Sequence, residues 1–306
     1  MKLLIVNFHY IRDENYHNGI YPRSVKQLSS QIDEISKYYR FISQDDLIEK
    51  IKTRQYDNNK YCLITFDDGL KEQMDALEVL TNKGVPGVFY VNTGPIRESQ
   101  VANVHKLHYI RSVMDDAEIF KFINSYVDSK DICYPKNIDK LYRYDTLETK
   151  HLKYLLNFAL DFNTKNKLIG GLFNRISDEK DFSKGLYMDI NDIKKLDKIG
   201  CLGTHGDMHL PLATLSKEDI KKDIFNSISF LKNECSVEAV KSISYPYGGP
   251  SAVSKKVLDI SSIFDFGLTM LRGVNEIDSL TNPLYLKRVD TNDAPGGKAQ
   301  SKRFCI

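Results

Sequence analysis

Three short stretches of this sequence place chemically capable residues directly behind apolar runs. The first is Leu63-Ile64-Thr65-Phe66-Asp67-Asp68-Gly69, which ends in two adjacent carboxylates and a glycine. Two acids so close repel each other unless a cation or a proton separates them. Taken alone, Asp-Asp-Gly after a strand is ordinarily a polar turn, with Asp68 capping the next helix. The second stretch is Gly203-Thr204-His205-Gly206-Asp207-Met208-His209. Histidines at i and i+4 converge on one ion where a helical turn superposes their side chains, although a lone pair is more often hydrogen-bonded surface. Together the two stretches offer one carboxylate and two imidazoles, a ligand set that leaves coordination positions open for water. The third, Ser244-Tyr245-Pro246-Tyr247-Gly248, also follows an apolar run. Its Pro and Gly fix a tight turn, which can aim a backbone N–H and an aromatic ring into a site.

Residues this far apart need a scaffold that gathers them. Apolar runs readable as strands are Leu3 to Phe8, Cys62 to Phe66, Val88 to Asn92, Cys201 to Gly203, Ser242 to Tyr245, Phe266 to Met270 and Leu284 to Val289. Helical periodicity lies between them. Val25, Leu28, Ile32 and Ile35 share one apolar face, as do Met74, Leu77 and Leu80, with Gly84 as a stop. Ile220, Ile224, Ile228 and Leu231 form a third stripe, opened by Ser216 as N-cap. Alternation of this kind predicts a largely parallel sheet in an α/β fold. In such folds ligands bind at the C-terminal ends of strands, where all three stretches stand. Residues about 95–189 break the rhythm and read as a helical insertion; residues 291–306, with Pro295-Gly296-Gly297, read as a flexible tail.

Composition narrows the class further. The 306 residues carry 43 Lys and Arg against 41 Asp and Glu, a net charge of +2, which supplies no basic field for a nucleic-acid partner. Cys62, Cys133, Cys201, Cys235 and Cys305 are odd in number and form no C-x-x-C pair, so neither a disulfide framework nor a thiolate zinc site is indicated. The first residues are too short an apolar run for a secretory leader, and nothing approaches the ~20 residues of a transmembrane segment. The expectation is a reduced, cytoplasmic protein of one barrel, residues 1–290, with its insertion. There is no Trp beside 18 Tyr and 15 Phe, so any sugar ring would stack on those rings.

The three stretches, in this order, resemble the motifs of the polysaccharide deacetylases, the NodB-type carbohydrate esterases of family 4. Thr65-Phe66-Asp67-Asp68-Gly69 resembles the first motif, His205 to His209 the second, and Tyr245-Pro246-Tyr247-Gly248 the third. The likeness covers residues 1–92 and 185–290. It implies a distorted (β/α) barrel of about seven parallel strands holding one divalent metal, zinc by default, with cobalt, nickel or manganese as alternatives. It further implies that Asp68, His205 and His209 are the ligands, Asp67 is the general base, and the Tyr247 N–H meets the oxyanion. The activity implied is hydrolysis of the N-acetyl amide of an N-acetylated sugar or glycan, and the lack of a leader-like run favours a nucleotide-linked, lipid-linked or small glycan precursor as substrate.

Departures from the motifs carry their own expectations. Ser244 stands where many relatives have an Arg that holds the base, and Gly206 where a Ser or Thr usually follows the first His. His209 is the last histidine, so no C-terminal motif supplies the acid. His9, ending the first strand, is the candidate. That arrangement resembles the circularly permuted subgroup of exopolysaccharide poly-N-acetylglucosamine deacetylases. Tyr10, Tyr247 and Arg288 are the residues expected beside substrate. Arg288 has a second reading as partner of Asp67 in place of the missing Arg, and Asp290 could orient His9. Two other classes compete. A non-heme iron oxygenase also uses two His and one carboxylate but has no use for Asp67 beside Asp68. A catalytically inactive glycan-binding protein needs no base at all.

Overall fold

In a computed structural model of the chain, the described residues are all but 14–19, 128–131, 133, 136–137, 139–145, 250–251, 300–303 and 305–306. Strands are β1 (Lys2–Phe8), β2 (Arg40–Phe41), β3 (Lys60–Phe66), β4 (Gly87–Val91), β5 (Leu202–Thr204), β6 (Ser242–Ser244), β7 (Phe266–Arg272), β8 (Asn275–Glu276) and β9 (Leu286–Asp290). Seven of them close a parallel ring in the order β3-β4-β5-β6-β7-β9-β1, with β1 returning to β3. This is the distorted (β/α) barrel the sequence led us to expect. The distortion sits at β5 and β6, three residues each, which share a single paired position, Thr204 with Ile243. The two-residue strands β2 and β8 flank the ring on β3 and β1.

Alternation along the strands sorts the side chains into two layers. Leu3, Ile5, Leu63, Val88, Tyr90, Phe266, Leu268 and Leu286 form one cluster, closed off by Leu47 and Ile48 of the helix Gln44–Thr53. Leu4, Val6, Phe8, Cys62, Ile64, Phe66, Phe89 and Val91 form the other, against Leu28, Ile32, Ile35, Leu77 and Leu80 of the first two long helices. Those helices, Val25–Ser36 and Gln73–Lys83, bury the expected stripes, and Gly84 ends the second with a φ of 63°. Lys217–Asn233 is capped by Ser216, whose hydroxyl accepts the Asp219 N–H. The register that turns Leu3 and Ile5 toward the first cluster also turns in Asn7, and Thr65 follows Leu63 in the same way. Both are buried at the C-terminal end of the ring.

The chain divides into two compact units. The barrel unit comprises Met1–Glu14, Pro22–Gln100 and Ser183–Ile306. The flanks of the expected insertion belong to it because they pair there: Tyr187 bridges to Leu70, and the Met188 N–H donates to the Gly69 carbonyl at 2.9 Å. In the tail, Ala294 and Phe304 are buried in the core; its residues 300–303, 305 and 306 lie outside the described residues. The second unit, Asn15–Tyr21 and Val101–Phe182, is helical among its described residues, with helices including Asn103–Val113, Asp116–Asn124, Leu147–Tyr154 and Phe162–Phe173. It is held by the Tyr109, Phe173 and Phe182 rings, by Lys106 on Glu179 at 2.8 Å, and by the Arg111 fork on Asp116.

Candidate active site

All three chemical stretches emerge at the C-terminal ends of barrel strands, Asp67 and Asp68 after β3, His205 after β5 and Tyr245 after β6. Asp68 does not cap the following helix, which starts at Gln73 with Glu72 before it. Instead its Oδ1 stands 3.4 Å from His205 Nε2 and 3.4 Å from His209 Nε2, and all three side chains are buried. Around a tetrahedral ion with bonds of ~2.1 Å, neighbouring donor atoms stand ~3.4 Å apart. The donor set, two imidazole nitrogens and one carboxylate oxygen, fits a divalent ion of the zinc type. His205 Nδ1 lies 2.6 Å from the Ser244 carbonyl, which accepts a hydrogen there and leaves Nε2 as the ligand atom.

The histidines do not converge through a helical turn, as i, i+4 spacing suggested. Residues 205–209 form a loop in which Gly206 has a φ of 76° and His209 a φ of 53°. Asp68 (81°) and Tyr247 (65°) are left-handed as well, so half of the six non-glycine residues with positive φ among the described residues stand in this site. Such backbone persists only where surrounding bonds over-determine it. Here they do. His205 donates its N–H to Val91 at 2.8 Å, its carbonyl accepts Asn92 Nδ2 at 2.7 Å, and Gly94 N–H reaches the Asp207 carbonyl at 2.9 Å. The Asp207 carboxylate takes the Arg97 fork at 2.8 and 2.9 Å and the Thr93 hydroxyl at 2.8 Å.

Asp67 is fixed by a buried cluster beneath the site. Arg288 NH1 and NH2 donate to its two oxygens at 2.9 and 2.7 Å, and Asn7 Nδ2 adds a bond of 3.1 Å to Oδ2. The rest of the guanidinium donates to Thr269 O, Asn7 Oδ1 and Ser244 Oγ, so all five N–H donors are used. Ser244, lacking the bulk of an Arg, accepts the head group that β9 sends in. Burial raises the Asp67 pKa, but the Arg288 and His205 charges and the guanidinium bonds outweigh it, leaving it at about 2. Burial likewise opposes a charged His205, yet the neighbouring Asp67 and Asp68 carboxylates push its pKa up.

The expected substrate-facing set therefore divides. Arg288 is 1% exposed and faces Asp67, not a ligand, because its whole fork is consumed inside the ring. Tyr10 is 8% exposed; burial first, then Asp68, holds its hydroxyl protonated well above the usual range. Tyr247 is 46% exposed, with its ring 4.8 Å from that of His209, and presents an aromatic face. His9 follows β1, and Gln73 Nε2 bonds both its carbonyl at 2.9 Å and that of Asp67 at 2.6 Å. The Asp290 carboxylate accepts the Asn292 N–H at 2.8 Å. Residue type alone did not single out Asn7, Gln73, Asn92 or Asp207. Asp223 had a readable signal, a charge inside the buried stripe Ile220, Asp223, Ile224, Ser227 and Leu231. Burial lifts its carboxyl to about 6.

No protein-family model and no curated protein sequence matches the chain. Solved structures do. The deacetylase PplD of Streptococcus pyogenes, determined in complex with acetate, aligns with a TM-score of 0.61 at 14% identity, covering 98% of this chain and 98% of its own. IcaB from Ammonifex degensii gives 0.60 at 15% identity over 99% of this chain and 97% of its own. A de-N-acetylase from Aggregatibacter actinomycetemcomitans gives 0.59 at 12% identity over 99% and 100%. The chain has the NodB-type polysaccharide deacetylase fold. Among the described residues no helix is long and apolar enough to cross a membrane.

Proposed function

We propose that this protein is a metal-dependent carbohydrate N-deacetylase, which hydrolyses the acetamide of an N-acetylated sugar to acetate and a free amine. The observation that carries the reading is the pairing of two unlike carboxylates. Asp68 faces two imidazole nitrogens at 3.4 Å, while its neighbour Asp67 stands further off, 4.0 Å from His205 Nε2, and is locked by Arg288. Binding alone needs no second acid, and an oxygenase site has no role for it. Asp68, His205 and His209 would hold the ion, zinc by default. When bound, it supplies Lewis acidity, polarising the acetyl carbonyl and acidifying water.

The remaining steps belong to the chain. Three of the roughly four acceptor positions of the Asp67 carboxylate are filled, leaving one at Oδ1 to take the proton of the attacking water. The Tyr247 N–H stabilises the oxyanion as it forms, and its exposed ring stacks on the sugar. His9, tied to Asp67 through Gln73, returns a proton to the departing amine.

A screen for acetate release over free, nucleotide-linked and lipid-linked N-acetyl sugars, run with metal analysis, tests the proposal. Acetate from at least one substrate, abolished by a chelator, is expected. Oxygen consumption coupled to turnover would place the protein in the oxygenase class instead. His205→Ala and His209→Ala should each lose the ion, and an unchanged metal content in either removes that residue from the ligand set. His9→Ala should slow amide substrates more than activated esters, whose leaving groups need no proton; equal losses on both would leave His9 without the acid role.

A further inference from the structure

The loop that presents His205 and His209 is secured from a helix with no part in the three motifs. The Asp223 carboxylate, buried on Lys217–Asn233, accepts the Asp207 N–H at Oδ1 (3.0 Å) and the Met208 N–H at Oδ2 (2.9 Å). These are two consecutive amides between the histidines. A Cβ placed on Gly206 would stand 2.6 Å from Asp223 Oδ1, so the carboxylate occupies the space that any side chain at position 206 would need. The sequence departs from the motif at this position, with Gly where a hydroxyl residue usually follows the first His. Asp223 and Gly206 are thus two halves of one arrangement. Its hydrogen-bond partners are the two amides, and the His205 charge acts on Asp223 from nearby.

We propose that Asp223 is the positioning residue of the metal-binding loop, holding the left-handed turn at Gly206 that brings His209 Nε2 to the same Asp68 oxygen as His205. The inference rests on the deacetylase reading for the presence of an ion, and goes beyond it in assigning the loop's anchor. Physically, a carboxylate with two oxygens can satisfy two converging N–H groups, whereas a neutral amide offers one oxygen and sets its own N–H donors against the second. Burial of this charge is itself unfavourable, and it outweighs the two amides and the His205 charge. Removing the charge relieves that cost but leaves the two amides without their acceptor, so the mark of a positioning role is a loss of metal affinity larger than the loss of metal-free stability.

The experiment compares zinc affinity, by competition with a chromophoric chelator, and metal-free thermal unfolding in wild type, Asp223→Asn and Asp223→Leu. Outer residues that orient ligands typically change metal affinity by 10- to 100-fold, and about 10-fold is expected for Asp223→Asn and about 100-fold for Asp223→Leu. The metal-free unfolding temperature of Asp223→Asn, which keeps one acceptor oxygen, should stay near that of wild type, whereas Asp223→Leu, which leaves both amides unpaired, should unfold at a lower temperature. Zinc affinity unchanged in both variants overturns the assignment, as does a fall in the affinity of Asp223→Asn that only parallels a fall in its metal-free stability. A wild-type chain that takes up no divalent ion overturns the deacetylase reading, and this inference with it. Failure in the variants alone leaves that reading standing.

Discussion

Asp67→Asn should lower turnover by at least ~100-fold while the protein keeps its full complement of metal, as the proposed roles of base for Asp67 and ligand for Asp68 require. The structure adds a second consequence. The Arg288 guanidinium, fully buried, places two of its five donors on the Asp67 oxygens. Asparagine removes the negative charge and turns an N–H toward a cation. Breaking one partner of a buried pair costs about 3–5 kcal/mol. The variant should therefore be both slow and less stable, and the two effects separate experimentally. Turnover measured well below the unfolding temperature, with metal content checked in the same sample, isolates the chemical loss. A folded, metal-replete Asp67→Asn near wild-type rate would refute the base assignment.

Removing the other partner gives the companion result. Arg288→Met is expected to lose a similar ~3–5 kcal/mol at neutral pH, now because a carboxylate is left buried with the Asn7 amide as its hydrogen-bond partner and no guanidinium. The pH dependence gives the sign. In wild type the Asp67 pKa is held at about 2, below that of an unfolded carboxylate. Its contribution to stability is therefore complete above pH ~4 and lost as pH falls toward that folded value. Without Arg288, burial raises the pKa above the unfolded value, so ionisation opposes folding as pH rises. Denaturant unfolding of both proteins should show a gap that widens from pH 3 to pH 7. A constant gap would mean that Arg288 contributes packing and little else. Turnover should fall too, with KM nearly unchanged, since Arg288 is sealed away from any ligand.

What could be read from residues alone follows a physical division. All seven ring strands were legible, five of them as apolar runs and the three-residue β5 and β6 from their place just before the His and Tyr-Pro stretches. The short β2 and β8 were not, being two residues long with no run to detect. Chemical type at the site was legible in Asp67, Asp68, His205 and His209, whereas the geometry joining them was not. Spacing of four suggested a helical turn, but the loop reaches the same convergence through Gly206 and a left-handed His209, which no periodicity encodes. Arg288 shows the limit differently. The missing third-motif Arg made Arg288 a candidate partner of Asp67, and the pairing is there, but in Leu286-Lys287-Arg288-Val289 it is strand register that turns Arg288 and not Lys287 inward. Tyr10 and Tyr247 were equivalent as aromatic candidates until burial separated them. Asn7, Gln73 and Asn92 act through amides whose partners are set by the ring, and such residues leave no spacing to find.

The closure of the ring by β1, between β3 and β9, also governs when the site can come into being. Asp67 and the arginine that fixes it lie 221 positions apart in the chain. At ~5–20 residues per second of synthesis, roughly ten to forty seconds separate the two on the ribosome. Until β9 emerges, β1 has β3 but lacks its other ring neighbour, and the carboxylate has no counter-ion. Pairings between such distant segments are slow to form, since loop closure precedes any gain from contact. The Asp67 carboxylate is thus among the last groups to be set, and a nascent chain halted before Leu286 would carry its motifs without the charge that organises them.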